Sequence, residues 1–219
     1  MKRNLLFVLM FALAACAPVQ EPPPATADLT DTTPLPTPTE ADPPTQTVPT
    51  SPAESSEAAP DVFSMLPAPV CSGTLTAPQM EGPYYTPDTP ERNSLLEEGV
   101  EGERLLLIGY VLDVNCQPVP NAWLDFWQTD GNGVYDNAGY TLRGHQYTDE
   151  QGRYYLETVI PGAYSSRPIR HIHVKVQAPN GPVLTTQLYF PDQPVDGLTV
   201  PLTPQDGYQL GVFNFVVEK

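Results

Sequence analysis

The proline-rich stretch from Ala17 to Pro60 is the feature that most strongly limits which part of this chain can form a folded domain. It holds twelve prolines and seven acidic residues, with no Lys, Arg or aromatic residue. A segment of this composition has too little apolar surface to form a core. We therefore expect residues 16–60 to be a disordered, extended tether, and the simplest interpretation is a passive spacer. The folded part then comes from residues 61–219, a length that suits one domain.

The residues before the tether have the layout of a bacterial secretion signal. Lys2 and Arg3 precede an apolar run that is too short to span a bilayer, and Leu-Ala-Ala-Cys16 follows it. This ending resembles the lipobox of bacterial lipoproteins, in which the leader is cut before a cysteine that then receives lipid. The resemblance implies a signal peptide over residues 1–15, lipidation of Cys16 and anchoring to a membrane of the bacterial envelope, outside the cytoplasm. The alternative is an ordinary secretion signal that contains a cysteine.

The charge of the chain excludes one class of partner. The formal net charge is −16; the tether carries −7 and the leader +2, which leaves −11 on residues 61–219. An acidic surface of this kind repels nucleic acid and anionic membranes, so neither is an expected partner of the domain. It gives no long-range attraction for an anionic substrate, although a local arginine can still bind one.

Two cysteines, Cys71 and Cys116, remain once Cys16 is lipidated. Outside the cytoplasm the surroundings are oxidising, so a disulfide between these two residues is the natural expectation. Two free, buried thiols are the alternative that the spacing leaves open.

Six segments rich in β-branched, aromatic and leucine residues follow the tether, separated by turns that contain Gly, Pro, Asn or Asp. This pattern predicts an all-β domain, a two-sheet antiparallel β-sandwich with little helix. The one candidate helical turn is Glu91–Glu98. The predicted strands are Leu105–Val111, Ala122–Gln128, Tyr154–Thr158, His171–Val176, Leu184–Phe190 and Gly211–Val217.

The fourth of these segments carries a His-Ile-His motif. On a strand, His171 and His173 share one face while the apolar residues between and after them share the other, so the histidine face is expected to be free. Tyr135 and Tyr164 each follow a glycine-containing turn, where sandwiches gather functional groups. Together the four side chains suggest a mononuclear metal site with two imidazole and two phenolate donors. Each signal alone is weak, because exposed strand histidines and packing tyrosines are common.

The surroundings of these residues resemble the intradiol ring-cleavage dioxygenases, the family of catechol 1,2-dioxygenase and protocatechuate 3,4-dioxygenase. The similarity runs from about Thr76 to Pro191. The matching stretches are Glu81-Gly-Pro-Tyr-Tyr85, Gly109-Tyr-Val-Leu-Asp113, Pro118-Val-Pro-Asn-Ala122, Asp125-Phe-Trp-Gln128, Thr148-Asp-Glu-Gln-Gly-Arg-Tyr154, Pro161-Gly-Ala-Tyr164, His171-Ile-His-Val174 and Thr186-Gln-Leu-Tyr-Phe190.

The resemblance implies non-haem iron(III) held by Tyr135, Tyr164, His171 and His173. Hard phenolate donors suit ferric iron. In the family the phenolate at the Tyr164 position leaves when substrate arrives, whereas the one at the Tyr135 position stays bound.

Further roles follow from the same resemblance. Gln187 matches a glutamine near the iron, and Pro83, Tyr84 and Tyr85 are candidate walls for substrate. The family places an arginine, the cation near the reacting ring, three residues before the first histidine. This chain has Pro168 there. We favour Arg167 over Arg170 for that role, because Arg170 would point away from the histidine face. Trp123, Trp127, Tyr154 and Tyr155 are assigned to packing.

The implied activity is cleavage of a catechol by O₂ between its two hydroxylated carbons, giving a muconate-type diacid. Two alternatives stand beside it. One is a non-catalytic envelope module of the transthyretin-like or carboxypeptidase-regulatory type, able to bind metal or catechol; the segment from Thr148 to Tyr155, followed by Pro161-Gly-Ala-Tyr164, resembles such modules. The other is a zinc or copper hydrolase, for which tyrosinate ligands would be unusual.

Overall fold

The computed structural model describes residues 62–219, so the predicted signal peptide, Cys16 and the whole of the predicted tether lie outside the described residues. In this part of the chain, a 3-10 helix, Val62–Met65, precedes nine strands. Within residues 62–219, no helix has the length and apolarity that a membrane span needs. The strands are β1 Arg104–Asp113, β2 Trp123–Trp127, β3 Arg143–Tyr147, β4 Arg153–Val159, β5 His171–Gln177, β6 Val183–Tyr189, β7 Leu202–Gln205, β8 Tyr208–Val212 and β9 Phe215–Val217.

The strands form two sheets, which confirms the predicted all-β, two-sheet architecture. The first sheet has the order β4-β1-β8-β7, with β9 also pairing β1, and the second has the order β3-β2-β5-β6. The second sheet is antiparallel throughout, whereas β1 pairs in parallel with β8 and β9. Alternate residues of both sheets, such as Leu107 and Phe126, meet in one buried apolar cluster between them.

Two local expectations were wrong, and two strands were missed. Glu91–Glu98 is extended and not helical, because its backbone pairs with both sheets: Arg92 N donates to His145 O, and Leu95 N donates to Glu157 O. The predicted last strand is two strands, interrupted where Phe213 N donates to Ile108 O. Strands β3 and β7 were not predicted.

An arm that precedes β1, residues 71–95, crosses the outer face of the second sheet. A disulfide between Cys71 and Cys116 joins its beginning to the loop after β1, with the two Cα atoms 5.7 Å apart. Farther along, Gln79 N donates to Thr185 O on β6. The arm therefore covers the sheet face that carries the two histidines.

Candidate metal centre

Strand β5 places both histidines on the outer face of the second sheet. His171 and His173 are 3% and 2% exposed, so the histidine face is covered by the arm and by aromatic rings, and the expectation that it is free was wrong. Their Nε2 atoms lie 3.0 Å apart. His171 Nδ1 lies 2.8 Å from Ile169 O, which fixes Nδ1 as the protonated nitrogen and leaves Nε2 able to bind a metal. Burial lowers the pKa of His171 to about 4 and of His173 to about 2, so both are neutral at pH 7.

Two loops bring the tyrosines to the histidines. The Tyr135 and Tyr164 rings are 5.7 Å apart, and the Tyr164 ring is 6.1 Å from that of His171. The loops can approach each other closely because Gly133, with φ +81°, faces the carbonyl of Ala163 where a Cβ would not fit. Gly162 N also donates to Asp130 O at 2.7 Å. The glycines in both turn motifs thus serve to join the two loops.

The four donors fit a ferric ion. Two imidazole nitrogens bound at about 2.1 Å and at a right angle to each other would be about 3 Å apart, as these are. Burial raises the pKa of the Tyr135 and Tyr164 hydroxyls, so a cation must be present for them to be phenolates. The described residues contain no cluster of three or more His, Cys, Asp or Glu side chains suited to a metal, so a metal here depends on the phenols.

Arg167 lies at the edge of this group. A tight turn pairs its backbone with that of Tyr164, with Arg167 N donating to Tyr164 O at 2.8 Å. Its guanidinium donates to Gln187 Oε1 at 2.6 Å and to the Tyr189 hydroxyl at 3.1 Å. Gln187 is fully buried, and its amide nitrogen donates to Met80 O of the arm at 2.6 Å. By contrast, Arg170 pairs with Asp192 at 2.8 Å, which supports Arg167 as the arginine of the site.

The candidate wall residues separate in the structure. Tyr84 stacks on Tyr135 at 4.4 Å and meets Tyr164 edge-on at 6.0 Å, so it lies against both phenols. Tyr85 turns the other way, contacting Trp127 at 4.8 Å and donating to Asp125 at 3.0 Å. Pro83 is exposed beside them. A substrate contact stays a prediction for all three residues, and Tyr84 has the position that supports it best.

The sequence interpretation missed three residues near the donors. Trp127, assigned to packing, stacks on His173 with ring centres 4.8 Å apart. Arg143 donates to Tyr84 O and Asp136 O and lies 5.7 Å from the Tyr135 ring. The Tyr189 hydroxyl donates a hydrogen bond to Gln187 Oε1 and accepts one from the Arg167 guanidinium. Cross-strand register would have identified all three, since Trp127 pairs with both Arg143 and His173, and Tyr189 pairs with His171.

Known proteins resemble the chain in both sequence and fold. A family model described as Dioxygenase matches residues 80–200. The chain is 44% identical to the dioxygenase domain of a dioxygenase carbohydrate-binding protein fusion from Streptomyces sp. SirexAA-E, with a TM-score of 0.63, covering 66% of this chain and 99% of that one. For 3-chlorocatechol 1,2-dioxygenase from Rhodococcus opacus 1CP, the identity is 25% and the TM-score 0.60, covering 64% and 71% of the two chains.

Among curated proteins, hydroxyquinol 1,2-dioxygenase from Rhizobium sp. (strain MTP-10005) is 30% identical in an alignment 140 positions long that covers 52% of this chain and 47% of that protein. The chain spans about half the length of the first curated relatives it matches. The family match covers more than half of the chain and contains all four donors. The chain therefore belongs to the intradiol ring-cleavage dioxygenase family.

Proposed function

We propose that this chain is a membrane-tethered, extracytoplasmic non-haem iron(III) dioxygenase that opens catechol-type rings between the two hydroxylated carbons, giving muconate-type diacids. The observation that carries the proposal is the convergence of two phenols on two imidazoles whose Nε2 atoms lie 3.0 Å apart. A plain scaffold of the transthyretin-like type would need no such group of buried polar rings. Membership of a family of ring-cleaving enzymes supports the same conclusion.

Tyr135, Tyr164, His171 and His173 would hold the ferric ion, which would supply Lewis acidity and draw both catechol oxygens to one centre. Tyr164 is the donor suited to leave, because it is partly exposed on a loop, whereas Tyr135 is buried under Tyr84. On leaving, the Tyr164 phenolate would take a proton from a catechol hydroxyl, and burial favours the protonated phenol. The arm would exclude bulk water from the site.

Arg167 would stabilise negative charge on the reacting ring. Its guanidinium is fixed by Gln187 and Tyr189 before any substrate arrives, so no reorganisation is needed during reaction. Gln187 cannot rotate freely, because its oxygen accepts from Arg167 and Tyr189 while its nitrogen donates to Met80 O. The guanidinium of Arg167 is therefore positioned by residues of β6 and of the arm.

The proposed substrate is a catechol that carries no negatively charged substituent. Relatives are named as dioxygenases of catechol, chlorocatechol and hydroxyquinol. Each of these three compounds is electrically neutral when its hydroxyl groups are protonated. The strongly acidic chain supports this choice, since its field would repel an aromatic acid at low ionic strength.

The proposed location rests on the sequence before the described residues. The Leu-Ala-Ala-Cys16 ending supports lipid attachment to the envelope, and the proline-rich stretch of residues 16–60 would separate the domain from the membrane. The disulfide between Cys71 and Cys116 fits an oxidising compartment.

The experiment that tests the function uses the purified full-length chain loaded with iron, before and after catechol is added under nitrogen. Tyrosinate bound to ferric iron should colour the protein, and catechol should shift the band. Admission of O₂ should then consume one O₂ per catechol and yield the diacid. A protein that binds iron without colour would refute the tyrosinate ligands; a coloured protein that binds catechol without consuming O₂ would support the binding module instead.

A further inference from the structure

The two histidines of the site are held in different ways. His171 has a hydrogen-bond partner for its second ring nitrogen, at Ile169 O. His173 Nδ1 is buried, and within residues 62–219 it has no hydrogen-bond partner. Metal-binding histidines almost always use this second nitrogen to fix the orientation of the ring. Among the described residues, no hydrogen bond to this second nitrogen therefore fixes the orientation of the His173 ring.

Trp127 is the side chain that meets this need. Its indole lies directly across the strands from His173, stacked with ring centres 4.8 Å apart and planes within 6° of parallel. It is fully buried, and its Nε1 has no partner in the described part of the chain, so the contact between the two residues is ring on ring. The large flat indole restricts both the tilt and the displacement of the imidazole.

Trp127 is itself held from behind by Tyr85. The two rings are 4.8 Å apart, and the Tyr85 hydroxyl donates to the buried carboxylate of Asp125 at 3.0 Å. The Lys175 ammonium lies 3.6 Å from the centre of the Tyr85 ring and pairs with Glu81 at 2.6 Å. Tyr85 is thus fixed at its hydroxyl and on its face, which keeps Trp127 from moving away from His173.

We propose that Trp127 is a positioning residue of the metal centre, which orients His173 by stacking and is supported by Tyr85. This inference rests on the proposed iron site. An imidazole bound to a cation is electron-poor, and the face of an indole carries negative charge density, so metal binding should strengthen the stack. Trp127 would then raise metal affinity and fix the ligand geometry without contacting the metal.

The test compares Trp127→Leu and Trp127→Phe in the full-length chain, with Trp123→Leu as the matched control. Trp123 lies on the same strand and face, but its ring neighbour is His145 at 6.5 Å and not His173. Ferric iron affinity is measured by competition with a soluble chelator, and ligand geometry by the electron paramagnetic resonance spectrum of the iron-loaded protein. Circular dichroism of the metal-free proteins reports folding.

We expect Trp127→Leu to weaken iron binding roughly 10- to 100-fold and to change the ferric resonance, with Phe restoring much of both and Trp123→Leu changing neither. Wild-type affinity and an unchanged resonance in Trp127→Leu would overturn the inference. If Trp127→Leu fails to fold, Trp127→Phe and Tyr85→Phe decide: smaller losses in the same direction support the inference, and wild-type values overturn it. A wild-type chain that binds no iron would instead refute the proposed function itself.

Discussion

At the scale of single residues, the two phenols of the site differ although their chemistry is the same. Tyr135 is 8% exposed and is stacked by Tyr84. Tyr164 lies on a more exposed turn, and the nearby Arg167 works against the rise that burial causes in its pKa. One phenol is therefore enclosed by the fold, and the other is the more accessible of the two.

The two tyrosines should give different defects when each is changed to Phe. Tyr135→Phe removes the fixed donor, so most of the iron should be lost. Tyr164→Phe should keep iron but lose the group that accepts a substrate proton, lowering kcat roughly 100-fold or more. Iron content and rapid-mixing kinetics with catechol separate the two effects. A Tyr164→Phe enzyme with wild-type kinetics would remove Tyr164 from the mechanism.

Arg167 should matter to the reaction and not to iron binding. Replacing it with Met removes the charge that Gln187 and Tyr189 hold in place, and kcat/KM should fall by about 10²- to 10³-fold. Arg170→Met is the control, because that side chain pairs with Asp192 and should leave the kinetics unchanged. Equal losses in the two variants would show that Arg167 has no special part.

At the scale of elements, the arm, the second sheet and the two loops that carry Tyr135 and Tyr164 together form the site. The arm contributes the carbonyl that holds Gln187, the ring that stacks on Tyr135 and a glycine next to His173. The strands supply the histidines and Trp127. Neither part alone encloses the four donors, so docking of the arm is a condition for a closed metal centre.

Gly82 of the arm provides a test of how closely the arm approaches His173. Its φ is +74°, and a Cβ there would lie 3.3 Å from His173 Cε1. Gly197 has φ +69° with nothing within 4 Å of its Cβ position. Alanine at either residue should destabilise the fold by about 1–2 kcal/mol through backbone strain. Thermal unfolding should show both losses, but only Gly82→Ala should shift the visible band of the iron-loaded protein; a shift in both would mean that strain alone is responsible.

The sequence predicted the strands that carry strong apolar patterns and missed those that do not. Strand β3 contains Arg143, Gly144 and His145, and β7 contains Pro204, so neither has the composition typical of a strand. Each is an edge strand of its sheet, held by pairing with one neighbour. Glu91–Glu98 had helix-forming residues, but tertiary pairing determined its extended form.

The same limit applies to the site. Residues in turn and His-x-His motifs could be identified from local spacing and from the family resemblance. Trp127, Arg143 and Tyr189 could not, because their contacts depend on which strands pair and in which register. The motif also could not separate the two adjacent tyrosines: Tyr84 contacts the phenols, whereas Tyr85 packs against Trp127.

At the scale of the whole molecule, the charge of the domain bears on how the protein would be attached to a membrane. Residues 61–219 carry a net charge of −11, which disfavours contact with an anionic bilayer. Attachment would then depend on Cys16 alone and not on the surface of the domain.

Cys16→Ser should release the protein from the membrane. Because a lipidated terminus would be the anchor, the variant should move from the membrane fraction to the soluble fraction outside the cytoplasm. Cell fractionation and labelling with a radioactive fatty acid check both points. A variant that stays in the membrane fraction after a high-salt wash would contradict anchoring through Cys16.

The pairing of β1 with the last strands of the chain has a consequence for biosynthesis. Val111 on β1 pairs with Phe215 on β9, and Leu105 pairs with Gln209 on β8. Until strands β8 and β9 have been synthesised, one long side of β1 has no backbone partner from them. Pairing along this side of β1 therefore cannot be completed before residues 208–217 are available, and a chain that stalls before Tyr208 would present an open strand edge to proteases and to other unfinished copies.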